Sequence, residues 1–404
     1  MVTALIALVG AVAFVVERLI VVAHGNLSRF VMAERLYANP ARVPRGLYVL
    51  PQNGYDGQFF YRLALNPLNL QHTAYGITFD SKFRVQRIGY PVLAWLVSLG
   101  QHQLVPAALV IVNLAALACI GLLGGMLARE ANRHALWGLL VVGYFGFVFS
   151  LGRDIAEPTA AAFLLAGILA YRRRHFVLAG VLLAYGALTR ETVMVAVAAI
   201  ALVRIVTIVR HRIRPAVAAA VPAGLAPDMG TGSSRRPSAG ASPGVEDLAW
   251  VVPSVVFAVW QAVVYSVTGS FAFGADTTSN TGLPGQAMVH AAITNVRHLS
   301  IHAAPTDAWV VEFVVLIILV VMAASALRTT TAPVHERLAF VFFIIELFVL
   351  SPSIWNGVAD LRSLDEVYLF AVLILLGSRR RLVAPALVLA PALLVVVAHR
   401  AVSL

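Results

Sequence analysis

The sequence is poor in charge: only 12% of its 404 residues are Asp, Glu, Lys or Arg, about half the share expected of a soluble chain. Its single cysteine, Cys119, lies inside an apolar run, which excludes an intramolecular disulfide and a zinc site built on cysteines. Its single lysine is Lys82, so nearly all positive charge is arginine, a bias of the kind a GC-rich genome produces. No phosphate-binding Walker loop, no Gly-x-Gly-x-x-Gly after a strand and no Asp-Asp-x-x-Asp is present, so nucleotide-driven chemistry lacks a motif.

What is abundant is apolar. Hydrophobic residues make up 60% of the chain and the mean hydropathy is +0.85. Runs long enough to cross a hydrocarbon core of about 30 Å recur from one end to the other, which excludes a single soluble domain. The net charge of +11 does not imply a nucleic-acid partner, because the arginines sit in short clusters between apolar runs, the pattern of cytoplasmic loop anchors. The expectation is an all-α polytopic membrane protein.

Basic clusters order the spans. "REANRH" (129–134), "RRRH" (172–175), "RHRIR" (210–214), "RTTTAPVHER" (328–337) and "RRR" (379–381) read as cytoplasmic. About eleven spans satisfy that alternation, near 2–18, 104–128, 136–151, 157–171, 176–189, 191–209, 248–267, 307–327, 337–351, 364–378 and 382–398. The N-terminus then lies inside and the C-terminus outside. The first segment lacks a basic start and a good cleavage site, so a retained helix is expected and not a signal peptide. "RIGYPVLAWLVSLG" (87–100) would invert every later loop if it crossed, and reads as a juxtamembrane or re-entrant helix.

The chain divides into an N-terminal module (1–214), a Pro/Ala/Gly/Ser-rich linker expected to be disordered (215–246) and a C-terminal module (247–404). Two external segments are long, 19–103 and 268–306, and the first carries bursts of helical pattern suited to short interfacial helices.

The polar residues of interest collect on the outer side. "NGYDGQFFYR" sets Asp56 between glycines, with Tyr55, Gln58 and Tyr61 around it as candidate substrate contacts. Asp56 reads either as the N-cap of a helix starting at Gly57 or as a general base at the outer face. Arg62 either reaches a polar groove or a lipid headgroup. "FDSKFRVQR" adds Asp80, Lys82, Arg84 and Arg87 where the topology rule disfavours positive charge, which suggests an anionic ligand such as a lipid phosphate. "SLGRDIAEP" puts Arg153, Asp154 and Glu157 at an outer turn, either a salt-bridged turn or part of the site, with Pro158 starting a helix.

"ALTRET" breaks a long apolar stretch at Thr189, Arg190 and Glu191. The arms are about 14 and 19 residues, roughly 21 to 28 Å as helix, so the ionisable pair lies near or below the outer surface. Arg190 and Glu191 point apart on a helix, and Asp154 or Glu157 is the candidate partner of Arg190. "DLRSLDE" brings Asp360, Arg362, Asp365 and Glu366 to the last outer loop. Glu312 and Glu346 lie in apolar helices, where a carboxylate is costly. His298 and His302 have helical spacing but no third ligand, so no metal site is expected.

The blocks "YDGQFFYRLALNP", "YGITFDSKFRVQRIGYPVLAWLVSLG", "RDIAEP" and "ALTRET" resemble, in order and spacing, bacterial membrane proteins of cell-surface glycopolymer formation within the GT-C glycosyltransferase superfamily. The resemblance covers residues 1–210; the C-terminal half is similar only in hydropathy. It implies a multi-span enzyme of the bacterial cytoplasmic (inner) membrane, with juxtamembrane helices in its first external loop. It implies a sugar taken from a polyprenyl-phosphate donor on the extracytoplasmic face, with the base an aspartate at the position of Asp56. The acceptor would be a hydroxyl of a cell-wall polysaccharide or glycolipid. Many members carry two neighbouring acids in this loop, whereas Gly57 follows Asp56 here, which weighs against a divalent metal and leaves the donor lipid in place of any cofactor.

The expected chemistry is inverting: Asp56 deprotonates the acceptor while arginines, Arg190 first, then Arg87, Arg84 and Arg62, hold the leaving phosphate. A transporter or flippase of a lipid-linked sugar is the alternative, suggested by the break at 189–191 and by Glu346. No repeat relates the two halves.

Overall fold

A computed structural model describes residues 1–220, 244–272, 281–299, 304–355 and 361–402. Helix accounts for 72% of it. Six helices are long and apolar enough to cross a membrane, at Val2–Val21, His102–Glu130, Val193–His211, Val245–Thr268, Asp307–Ala326 and Val383–Arg400. The chain is an all-α, multi-pass membrane protein, with lipid-facing valines and leucines such as Leu5, Val9, Val181, Val259 and Leu394 left exposed.

The N-terminal half runs α1 (Val2–Val21), α2 (Gly57–Leu65), α3 (Gly89–Val97), α4 (Val105–Glu130), α5 (Leu139–Val142), α6 (Phe145–Leu151), α7 (Glu157–Arg172), α8 (Phe176–Thr189) and α9 (Val193–Ala220). After it come α10 (Leu248–Thr268) and helices at Gln286–Arg297, Ala304–Ala326, Val334–Val349, Asp365–Leu376 and Val383–Val402. Where one span is expected at 136–151, the chain instead forms a 3-10 turn at Ala135–Gly138, then α5 and α6, with a break at Gly143 and Tyr144. α9 continues past Arg214 to Ala220, so the first residues of the expected linker are helical. Most of that linker, 221–243, lies outside the described residues, as do Asp360 and His302.

Residues 19–103 fold into a compact cap. α3 has nine residues, about 14 Å of helix, too short to cross. The cap also holds two minimal sheets that the helical pattern does not announce. Ala33 and Glu34 pair in parallel with Val49 and Leu50. Thr73 and Ala74 pair antiparallel with Thr78 and Ile77 around a Tyr75–Gly76 turn. Both turn residues have positive φ, +50° and +73°, the backbone a two-residue hairpin demands. Aromatics and aliphatics of α2, α3 and α4 give the cap its own core, around Phe59, Phe60, Leu63, Tyr90 and Leu109.

The two halves are not separate bodies. Tyr144 donates its hydroxyl hydrogen to the Leu361 carbonyl and Tyr368 to that of Leu140, and one continuous apolar core runs through α1, α4, α7 and the helices Ala304–Ala326 and Asp365–Leu376. At one end of the bundle Arg172, the last residue of α7, pairs with Glu336 at 2.5 Å, and Arg133 donates to the Ser378 carbonyl. These belong to the basic clusters read as cytoplasmic. Glu157, the first residue of α7, is at the other end, beside the cap.

Candidate functional site

The DGQF block opens α2 against the turn between α6 and α7. A side chain on Gly57 would put its Cβ 2.3 Å from the Arg153 carbonyl oxygen and 2.7 Å from that of Val31, so the close approach requires glycine. Asp56 occupies the N-cap position but its side chain makes no capping bond. Its Oδ2 instead accepts from Arg84 Nη1 and from Arg362 Nη2, each at 2.7 Å.

Those two arginines organise the site. Arg84 also grips Asp80 with Nε and Nη2, at 2.9 and 2.8 Å. Arg362 comes from the far half of the chain and spends the rest of its fork on Tyr55 and Glu157: Nε donates to the Tyr55 hydroxyl at 2.9 Å and Nη1 to Glu157 Oε1. Tyr55 packs edge-on against Phe149 with ring centroids 5.1 Å apart, and the Arg153 guanidinium lies over Phe149 at 4.0 Å. Two carboxylates, Asp56 and Glu157, thus share one buried guanidinium.

Electrostatics follow from that geometry. Burial favours the neutral form of Asp56, but Arg84, then Arg362 and Arg87, outweigh it and hold its carboxyl below the ordinary carboxylate range. Burial likewise disfavours the charged guanidiniums, and the facing carboxylates reverse this, so Arg84 and Arg362 stay firmly charged. Burial raises the Tyr55 hydroxyl, offset in part by Arg362.

The break at 189–191 forms a second cluster against the first. Arg190 is in extended backbone and 3% exposed. Its Nη1 meets Asp365 and Glu366, the latter at 3.1 Å, and Thr192 donates to Glu366. Its partners are therefore on the helix Asp365–Leu376, not Asp154 or Glu157. Glu191 turns the other way and takes a two-pronged bond from Arg87, at 3.0 and 2.6 Å, as adjacent residues pointing apart require. The Tyr185 hydroxyl, one turn before, donates to the Gly89 carbonyl at 2.8 Å and fastens α8 to α3.

Other expected site residues lie elsewhere. Arg62 is 1% exposed, stacked 3.6 Å over Phe79 and donating to the Gln71 carbonyl, so it neither lines a groove with Asp56 nor reaches a headgroup. α2 is buried along its whole length, so it is not the interfacial helix that its pattern suggested. Gln58 accepts the Glu34 backbone N–H at 3.2 Å. Tyr61 faces a separate cavity. Asp154 is fully buried at φ +49° with both carboxylate oxygens lacking a hydrogen bond among the described residues; burial raises it well above the usual range, partly offset by Arg18. Among the described residues no three His, Cys, Asp or Glu side chains converge as a metal site would need.

Sequence reasoning ranked Arg362 among many and missed that it bridges Asp56 to Glu157. It also missed Thr192 as a partner of Glu366. The one available signal was the arginine of "TRET" and the acidic excess of "DLRSLDE", two short polar segments expected on the same side of an apolar chain.

The fold and site together are those of a multi-pass helical membrane protein with a buried ion-pair network under a compact cap. No family model, curated protein or solved structure matches the chain.

Proposed function

We propose that the chain is a GT-C-type glycosyltransferase of a bacterial cytoplasmic membrane, with about eleven spans and its reaction at the extracytoplasmic face. The donor is a sugar on polyprenyl phosphate and the acceptor a hydroxyl of an envelope glycan or glycolipid. The reading rests on one observation above all: a carboxylate of the external cap, Asp56, held through one oxygen by two arginines from different segments.

Guanidinium forks match phosphate oxygens, and Arg84 and Arg362 are the ones beside Asp56. Arg190, the first choice from sequence, is already committed to Asp365 and Glu366, so the phosphate-holding role passes to the former pair. A phosphate entering between them competes with Asp56 for the same donors. Losing those donors raises the basicity of Asp56 at the moment a substrate is present. Asp56 then accepts the acceptor proton, the acceptor oxygen bonds to the anomeric carbon, and the bond from that carbon to the phosphate oxygen breaks with inversion. The phosphate oxygen takes the electron pair of the broken bond and leaves with one more negative charge, which the arginines stabilise.

The test is transfer of labelled sugar from synthetic polyprenyl-phosphate sugars by purified protein. Asp56→Asn should lower kcat by at least about a hundredfold; near-normal turnover removes Asp56 as the base. Flux of the lipid-linked sugar across proteoliposomes without any transfer would replace the enzyme by a flippase.

A further inference from the structure

On the cap, away from the Asp56 cluster, lies a cavity of about 310 Å³ lined by Asn26, Ser28, Arg45, Tyr61, His102 and Gln103, with Leu27, Leu47 and Pro106 among its apolar walls. Its size is at the lower end of small-molecule sites. Three stretches of the external segment build it: the 3-10 turn at Leu27–Val31, the loop around Gly46 and the start of α4.

Ser28 Oγ accepts the Tyr48 N–H at 2.9 Å, but other polar groups of the lining are unspent. Tyr61 is 2% exposed, yet its hydroxyl has no hydrogen-bond partner among the described residues, and burial pushes that hydroxyl up to about 12. Its oxygen is not one of the sealed, unpartnered polar atoms among the described residues; the hydroxyl stays reachable, and Tyr61 lines the cavity. Asn26 uses Oδ1 to accept the Ser28 N–H at 2.9 Å, leaving its amide hydrogens. Arg45 and Gln103 are exposed and make no side-chain bond among the described residues. No carboxylate lines the cavity.

The lining combines hydrogen-bond donors with apolar side chains. That combination suits a pyranose ring, whose hydroxyl and ring oxygens take hydrogen bonds while its C–H faces lie on aliphatic walls and a tyrosine ring. A bare phosphate would leave the apolar walls unmatched, and an acyl chain the polar groups. We propose that this cavity binds one sugar unit of a glycan, with Tyr61 and Arg45 as its main hydrogen-bonding groups. Its role as a subsite for the acceptor glycan rests on the glycosyltransferase reading above; the binding itself does not.

Saturation-transfer NMR on the full chain in nanodiscs tests it, with methyl glycosides of glucose, galactose, mannose and glucuronic acid as probes. At least one glycoside should receive saturation, and Tyr61→Phe combined with Arg45→Ala should weaken its binding about fivefold or more, as for the loss of a charged hydrogen bond. Arg45→Ala alone, at an exposed side chain, keeps the test independent of folding. Asp56→Asn should leave glycoside binding intact. No transfer to any of the probes, or binding unchanged in the double variant, overturns the proposal. In a protein that turns over, Arg45→Ala should raise the acceptor KM with little change in kcat. Glycoside binding in a protein that transfers no sugar keeps the pocket and removes the enzyme; sugar transfer without glycoside binding does the reverse.

Discussion

Arg362 and Asp56 are 306 positions apart in the chain and 2.7 Å apart in space. The contact closes the C-terminal half onto the cap, and Glu157 on the same guanidinium ties in the start of α7. Three elements that cannot find one another by local structure meet on a single side chain.

Removing that side chain should therefore cost more than one ion pair. Arg362→Gln leaves Asp56 with Arg84 but strands Glu157, which is 2% exposed at its side chain. Breaking a buried pair from one side typically costs about 3–5 kcal/mol. The expected result is a clear fall in the melting temperature of the purified protein by intrinsic fluorescence, partly restored by adding Glu157→Gln. A melting temperature unchanged by Arg362→Gln would mean that the contact contributes nothing to holding the halves together.

Much of the helical layout was legible because an apolar chain in lipid has few options: backbone groups must be satisfied within each segment. Ten of the eleven expected segments are single helices, and the exception fails at Gly143, where a glycine in an otherwise apolar run gave warning. The cap was less legible. Its buried Arg62 carries the same letter as the site arginines, and only the packing of Phe79 tells them apart. Arg190 was placed at the right kind of position, below the surface at a helix break, but its partners are 175 residues away, and pairing over such a distance is set by tertiary packing, which one sequence does not encode locally.

Acid should loosen the site in a defined direction. Asp56 is held below its ordinary value in the folded protein, so its stabilising contribution is full above the unfolded carboxyl pKa of about 3.9 and is lost as pH falls through the lower folded value. Between neutral pH and about 5 it should contribute no slope. Melting temperature measured against pH should show extra acid sensitivity below about 4 in the wild type that Asp56→Asn removes. If the variant keeps the same acid limb, the depressed carboxyl is not Asp56.

Arg190 is expected to act as a brace. One guanidinium nitrogen serves both Asp365 and Glu366, which are fully or nearly fully buried. Arg190→Ala leaves two carboxylates facing each other without a counter-ion, a loss on the order of 3–5 kcal/mol. Yield and melting temperature should both drop, and Arg190→Ala with Asp365→Asn and Glu366→Gln should recover much of the loss, because neutral groups no longer need the charge. A well-folded Arg190→Ala protein whose only defect is weaker donor binding would return Arg190 to the phosphate.

Lys82 gives a direct reading of which side the cap faces. It is the only lysine, it is exposed, and its Nζ donates to the Thr268 carbonyl at 2.8 Å, which joins the cap to the end of α10. The proposed topology puts both on the extracytoplasmic side. A membrane-impermeant amine reagent applied to intact spheroplasts should modify the peptide containing Lys82, with the site assigned by mass spectrometry and the signal abolished by Lys82→Arg. The arginine keeps a charged donor near Thr268, so folding should be preserved while the reactive amine is lost. Modification only after the membrane is permeabilised would put the cap inside the cell, and with it Asp56, Arg84 and the whole proposed reaction face.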